Sequence, residues 1–269
     1  MEDSMSELNF AFRPLADHHF SASELTRGPW HPAHQHAGPP SALACRAVEQ
    51  AAQAHGLSHI SRFTANLLRP VPIGELHSRV AEDYVGKNAG HFSGELIAEG
   101  KVVLRFTALA QRENPIELPA DLPGHPVPQA PQSPETSAPV NMPFAGRQVG
   151  YTDLIENRQA RGQIFQGPCA IWFRLNHPLV EGETPSAYQR TAVAADSGSG
   201  ISAILDWNTY SFINSDLTIN WLRRPQGEWV CLEAQTWAGG QGCALADSAI
   251  YDEAGLMGRA TQSLSIRRR

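Results

Sequence analysis

Thr64-Ala-Asn66-Leu-Leu68-Arg69-Pro70, with Gly74-Glu75-Leu76 just beyond it, returns in the second half of the chain as Thr218-Ile-Asn220-Trp-Leu222-Arg223-Arg224-Pro225 and Gly227-Glu228-Trp229. Thr64, Asn66, Leu68 and Arg69 recur at a constant offset of 154 residues, and Gly74-Glu75 comes back one residue short of it. Arg105-Phe-Thr107 then matches Arg259-Ala-Thr261, again at 154. An offset restored after ~40 further residues indicates a duplicated unit, because unrelated segments do not keep a common register.

The material around the two copies has a common order. Pro39 to Gln53 carries Leu43, Ala47, Val48 and Ala51 at helical spacing and is closed by Gly56. The counterpart is the shorter, glycine-rich Ser197-Gly198-Ser-Gly200-Ile-Ser-Ala-Ile-Leu-Asp206. Strands are expected at 61–68, 75–84, 91–98 and 102–111, and again at 215–222, 228–237, 243–250 and 257–266, with Asp252-Glu-Ala-Gly255 as a hairpin turn. A helix followed by a meander of long antiparallel strands is an α+β layer in which the sheet wraps the helix. Between Pro115 and Pro143 fall nine of the 20 prolines, without apolar periodicity, so this stretch reads as an extended, stiff linker. The expected organisation is a first repeat over 9–113, a linker over 114–143 and a second repeat over 144–269.

Composition removes several classes of function. With 269 residues and 42% hydrophobic side chains there is ample material for a core, and global disorder is excluded. The net charge of -6, with basic residues scattered except for Arg267-Arg268-Arg269, speaks against a nucleic-acid partner. No stretch approaches ~18 apolar residues and the N-terminus has no signal-like run, so a cytoplasmic protein without a membrane partner is expected. Cys45, Cys169, Cys231 and Cys243 form no CxxC and read as reduced packing residues.

A helix wrapped by a curved antiparallel sheet, duplicated in one chain, resembles the double hotdog fold. Five runs narrow the resemblance: Leu68-Arg-Pro-Val-Pro-Ile-Gly74; Ala195-Asp196-Ser-Gly198; Asn214-Ser215-Asp-Leu-Thr218-Ile-Asn-Trp-Leu-Arg-Arg-Pro225; Gly227-Glu-Trp-Val230; and Tyr251-Asp-Glu-Ala-Gly255 with Arg259-Ala-Thr-Gln262-Ser263. Their order is similar to the acyl-CoA thioesterase II group and its thioesterase-like relatives. The likeness spans nearly the whole chain outside the linker.

That resemblance implies hydrolysis of acyl-CoA thioesters without a covalent intermediate or a cofactor. An Asp, a Gln and a Ser or Thr from the second repeat would hold the attacking water. The Asp falls on Asp196, the Gln on Gln262 and the hydroxyl on Ser215, with Thr218 as the other candidate for that role. The chemistry suits the set: a carboxylate takes a proton from water, and neutral hydrogen-bonding groups aim the oxygen at the thioester carbon. A helix starting near Ser197 would offer amides to the developing oxyanion, and Gly198 and Gly200 would admit the acyl group closely. At the constant offset Gln262 meets Ala108 and Asp196 meets the neighbourhood of Gly38, so one active site per chain is expected.

Competing readings remain open. Asp196 ahead of Ser-Gly-Ser-Gly is also a helix N-cap pattern, and Gln262 and Ser215 are also ordinary strand-surface residues. His31, His34 and His36 invite a metal reading, but Pro32 prevents their alignment on a helix and no acidic or cysteine ligand sits within the run. A loop bringing His36 and Gly38 to the substrate cleft is the expectation, with no metal; His18-His19 reads as a polar turn. Gly198-Ser199-Gly200 lacks the spacing of a serine-nucleophile elbow. Two other functions stay open: a non-catalytic acyl-ligand binding protein, and a hydroxyacyl-thioester dehydratase using His36 with an acidic partner that the sequence does not identify. Hydrophobic sheet faces predict a homodimer or larger homo-oligomer.

Overall fold

The structure is a computed structural model that describes residues 9–119, 121–123, 127–143 and 147–269. Residues 120 and 124–126 of the expected linker, and the first residues of the expected second repeat, 144–146, lie outside the described residues. The quoted stretches form two strands, β3 (His59–Leu67) and β11 (Asp216–Trp221), which pair antiparallel with Thr64 opposite Thr218.

On one side of this central pair the sheet continues through β6 (Lys101–Gln111), β5 (Ala89–Ala98), β4 (Glu75–Val85), β2 (His19–Ala22) and β1 (Phe12–Ala16). On the other it runs through β14 (Gly255–Arg268), β13 (Cys243–Asp252), β12 (Val230–Ala238), β9 (Cys169–Leu175), β8 (Ile155–Arg161) and the two-residue β7 (Ala138–Pro139), while β10 (Tyr210–Asn214) also pairs with β14. The eight strands expected from sequence are therefore present, within a few residues of their expected ends. β1, β2, β7, β8, β9 and β10 were not anticipated; none is longer than seven residues, and the first five residues of β9 are apolar without alternation.

Four α-helices lie among the described residues: α1 (Gly38–Gln53), the single turn α2 (Tyr151–Leu154), α3 (Ala187–Ala195) and α4 (Gly198–Ile201). α1 ends as expected, with Gly56 at φ +67° in the left-handed region. The second long helix does not start at Ser197 but ends just before it. Ser186 caps α3 by accepting the Gln189 amide at 3.1 Å, and the alanine-rich 191–195 segment sustains the helix, whereas the Gly-Ser-Gly tract supports only the four residues of α4. α1 and α3 pack on each other and against the apolar face of the sheet, where Leu43, Val48, Phe63, Phe92, Phe106, Leu217 and Leu232 are all buried.

The described residues of the proline-rich segment are mostly exposed. Its Gln132 carbonyl accepts Trp172 Nε1 at 2.8 Å, and Pro128 O accepts the Leu256 amide at 2.8 Å, over a small cluster of Trp172, Trp229, Cys231 and Tyr251. The four cysteines are free; Cys45, Cys169 and Cys231 are buried, but Cys243 is exposed where β13 begins beside a glycine turn. No helix among the described residues is long and apolar enough to cross a membrane.

Candidate active site

The loop ahead of α1 is stitched down before it delivers a side chain. Gln35 N and Gln35 Nε2 donate to Val71 O and Pro72 O at 2.8 and 2.7 Å, and His36 N donates to Thr26 O at 2.7 Å. His36 is thereby fixed at the start of α1, its ring stacked on Tyr151 with centroids 3.7 Å apart and planes 3° from parallel. The Tyr151 hydroxyl lies 2.9 Å from both Val193 O and Ser197 Oγ, and burial pushes its pKa well up, so it is a neutral donor.

Asp196 meets this corner from the end of α3. It is 7% exposed, so its carboxylate needs partners. Oδ1 accepts Asn214 Nδ2 at 2.7 Å and Gln262 Nε2 at 3.2 Å, while Oδ2 lies 3.0 Å from His36 Nδ1. The same Gln262 Nε2 donates to Asp196 O at 3.0 Å, and its Oε1 accepts the Ser199 amide at 2.8 Å. Gln262, buried at mid-β14, thus clamps the Asp196 turn to the start of α4. His36 Nδ1 also receives the Gly38 amide at 3.1 Å. One nitrogen cannot both accept there and donate to Asp196, so the ring proton decides which neighbour it serves. With the proton on Nε2, Nδ1 accepts from Gly38 and Nε2–H is a donor at the other edge of the ring.

These groups open on a cavity of about 730 Å³. Its walls include His36, Asp196, Asn214, Ser215, Gly200, Arg69 and Arg27, the last paired with Glu24 at 3.1 Å. An aromatic group lies along it: Trp30 stacks on Trp207 with centroids 4.4 Å apart, and Phe165 and Phe212 meet Trp207 at 5.0 and 4.3 Å.

The structure brings together Asp196, Gln262, His36, Gly38 and Gly198, and sets Ser215 and Gly200 on the same cavity. A side chain at Gly38 would place its Cβ 2.4 Å from Val193 O, which explains the need for glycine there. Thr218 is elsewhere: its hydroxyl faces Thr64 Oγ1 at 3.1 Å in the sheet centre and lines no part of the cavity. Asp196 is not an N-cap, since it terminates α3 and no side-chain cap bond is made at α4. The Ser199 amide, expected to await an oxyanion, is taken by Gln262. His31 and His34 stack on each other, 4.2 Å between centroids. Asn214 was missed, although it stands next to Ser215 in the quoted run; a strand residue becomes a carboxylate partner only once β10 is laid beside β14. The recurring Arg223 has a structural task, pairing with both oxygens of Asp252 at 2.6 Å and with Gly255 O at 2.9 Å to hold the β13–β14 turn.

A second polar corner lies where the start of α3 meets α1. Glu49 stands there, its Oε2 accepting Ser186 Oγ at 2.8 Å and Gln189 Nε2 at 2.9 Å. The constant offset did not reveal this carboxylate, because α1 and α3 differ in length.

The wrapped helices, the continuous antiparallel sheet and a polar corner on an apolar cavity define a hotdog-fold protein. A protein of unknown function with a hotdog fold from Alicyclobacillus acidocaldarius superposes with a TM-score of 0.68 at 16% identity, over 93% of this chain and 92% of the other. The acyl-CoA thioesterase II TesB2 of Mycobacterium marinum gives 0.65 at 15% identity over 96% of both chains. The tesB protein MAP1729c of Mycobacterium avium subs paratuberculosis gives 0.66 at 14% identity over 95% of both. Curated protein sequences give no match. The acyl-CoA thioesterase N-terminal domain matches residues 26–111 and the C-terminal domain residues 119–266, so the chain belongs to the acyl-CoA thioesterase family.

Proposed function

We propose that the protein hydrolyses acyl-CoA thioesters to the free acid and CoA, with water activated at Asp196 and no covalent intermediate. The observation that carries this reading is the buried Asp196 carboxylate, held on one oxygen by Asn214 and Gln262 at the wall of a large apolar cavity. Water between Asp196 Oδ2 and the thioester carbon gives up a proton to the carboxylate as its oxygen attacks. His36 Nδ1–H donates to Asp196 Oδ2 at 3.0 Å and orients that oxygen, whose remaining lone pair takes the water's proton, while the ring lines the cavity beside the thioester. Ser215 helps to orient the water, Gln262 sets the carboxylate, and Gly200, on the cavity wall, leaves room for the acyl group, whereas Gly198 faces Ser248 and Gln262. Collapse of the tetrahedral species breaks the C–S bond, and the proton on Asp196 passes to the departing sulfur. No cofactor or metal enters this scheme.

Outward from the centre, β3-β6-β5-β4 on one side is matched by β11-β14-β13-β12 on the other, which supports a tandem double hotdog of repeats 9–113 and 144–269 joined by linker 114–143. A homodimer or larger homo-oligomer and a cytoplasmic location belong to the same reading. The half-exposed cross-strand pair Trp237 and Leu245 supports assembly, which sedimentation velocity would test.

The experiment is thiol release from short, long and aromatic acyl-CoAs by wild type and Asp196→Asn. Turnover lost in the variant supports the proposal; turnover that persists refutes the role of Asp196, and no release by wild type turns the reading to an acyl-ligand binding protein. One observation favours a second enzyme reading: His36 does have an acidic partner, Asp196, at 3.0 Å, which is what a hydroxyacyl-thioester dehydratase requires. Formation of enoyl thioester from a 3-hydroxyacyl-CoA, without thiol release, would establish it.

A further inference from the structure

We propose that His19, Glu75 and His77, on the face of the sheet away from the core and apart from the candidate active site, form a divalent-cation site of zinc type. The β2–β4 ladder places His19 directly opposite His77 and Ser21 opposite Glu75. Strand alternation turns the intervening pair Phe20 and Leu76 into the core, where both are buried, and leaves His19, Glu75 and His77 together on the other face. The two imidazoles stack with centroids 3.9 Å apart and planes 18° from parallel, and His19 Nε2 lies 3.0 Å from Glu75 Oε2. One ligand atom from each residue falls within 4.8 Å of the other two.

Zinc bound at ~2.0–2.2 Å by two imidazoles and a carboxylate needs donor atoms about 3.2–3.5 Å apart with each lone pair aimed at the ion in its ring plane, so the rings must turn out of the stack, which the exposure of His77 and Glu75 allows. The chemistry points the same way. Two neighbouring imidazoles repel when both are protonated, whereas a cation bound by one ring nitrogen of each, once the rings have turned toward it, converts that proximity into attraction, and Glu75 supplies the anionic ligand. Three protein ligands leave a fourth position to water, consistent with the exposure of Glu75 and His77. Bound metal would tie β2 to β4. The β1–β2 hairpin leads into the turn at Glu24–Thr26, whose Thr26 carbonyl holds the His36 amide, so the clasp sits at the root of the loop that carries His36.

The test is isothermal titration of tag-free, chelator-treated protein with zinc chloride, together with thermal unfolding with and without zinc. Wild type is expected to bind one zinc per chain at this site and unfold at a higher temperature with it. His77→Ala and Glu75→Gln, both at exposed positions, are expected to bind at least about ten-fold more weakly and lose the thermal shift, while His34→Ala, in the other stacked histidine pair, keeps both. Absence of binding by wild type, undiminished binding by His77→Ala, or loss through His34→Ala would each overturn the proposal.

Discussion

Thr64 and Thr218, separated by the repeat offset of 154 residues, face each other across the centre of the sheet with their hydroxyls 3.1 Å apart. The pairing runs symmetrically outward from them, and β6 and β14 flank the pair on either side. The contact explains why Thr218 recurs in the sequence without lining the cavity: it serves the seam. Thr218→Val keeps the shape and leaves the Thr64 hydroxyl without this partner, so stability should fall by about 1 kcal/mol while kcat stays near the wild-type value. Ser215→Ala should show the opposite balance, with kcat reduced and stability little changed. Urea unfolding and thiol-release kinetics on the two variants separate the roles, and a large kcat loss in Thr218→Val would return the hydroxyl function to Thr218.

Asn214 supplies the shortest hydrogen bond to the Asp196 carboxylate, at 2.7 Å. Hydrogen bonds to charged groups contribute about 1.5–3 kcal/mol, so Asn214→Ala should lower kcat roughly 10- to 150-fold if that energy is used to orient Asp196. KM should move little, because Asn214 is assigned to the carboxylate rather than to the substrate. Steady-state kinetics over an acyl-CoA series read the split directly; an effect confined to KM would make Asn214 a substrate-binding residue.

Glu49 shows what burial does to a carboxylate outside the proposed chemistry. Desolvation raises its pKa, against the lowering effect of its bonds from Ser186 and Gln189 and of the nearby Arg224 and Arg46. For a raised folded-state pKa, the stabilising contribution is complete below the ordinary carboxylate pKa and fades as pH climbs through the raised value. Both hydrogen bonds reach the same oxygen, so a neutral glutamine side chain in place of Glu49 can accept both through its amide oxygen. Glu49→Gln should therefore gain stability relative to wild type between pH 4 and pH 8. Denaturant midpoints measured across that range test the sign; a difference that shrinks with pH would contradict it.

The central strands and α1 were legible because alternation and helical spacing are local signals, and because the Thr64 and Thr218 runs could be compared with each other. Asp196, Gln262 and Ser215 came from family resemblance, since a carboxylate before Ser-Gly-Ser-Gly has no unique local meaning. The second helix was misplaced because Gly198 opens only the four-residue α4, while the long helix, α3, is built from the alanine-rich segment ahead of it. Asn214 and Tyr151 could not be read from the sequence: each acquires its role through partners distant in sequence, Asp196 for Asn214 and His36, Val193 and Ser197 for Tyr151. The His19 and His77 stack is similar, being a product of cross-strand register.

Gly198 links the backbone to the polar corner. A Cβ built there would lie 2.6 Å from Ser248 Oγ and 3.2 Å from Gln262 Oε1. Ser248 can rotate away, but Gln262 is fixed at both ends, donating to Asp196 and accepting from Ser199. Gly198→Ala should consequently push the Gln262 amide off the Asp196 turn. Alanine also has the better helix propensity by ~1 kcal/mol, which offsets part of the crowding, so the unfolding midpoint should change little while kcat falls. Gln262→Ala, which removes the clamp outright, should lower kcat further, and combining the two substitutions should add little to the Gln262→Ala loss, because both act on the same bonds. A double-mutant cycle on kcat/KM measures that coupling; strictly additive losses would mean that Gly198 acts on the acyl group directly rather than through Gln262.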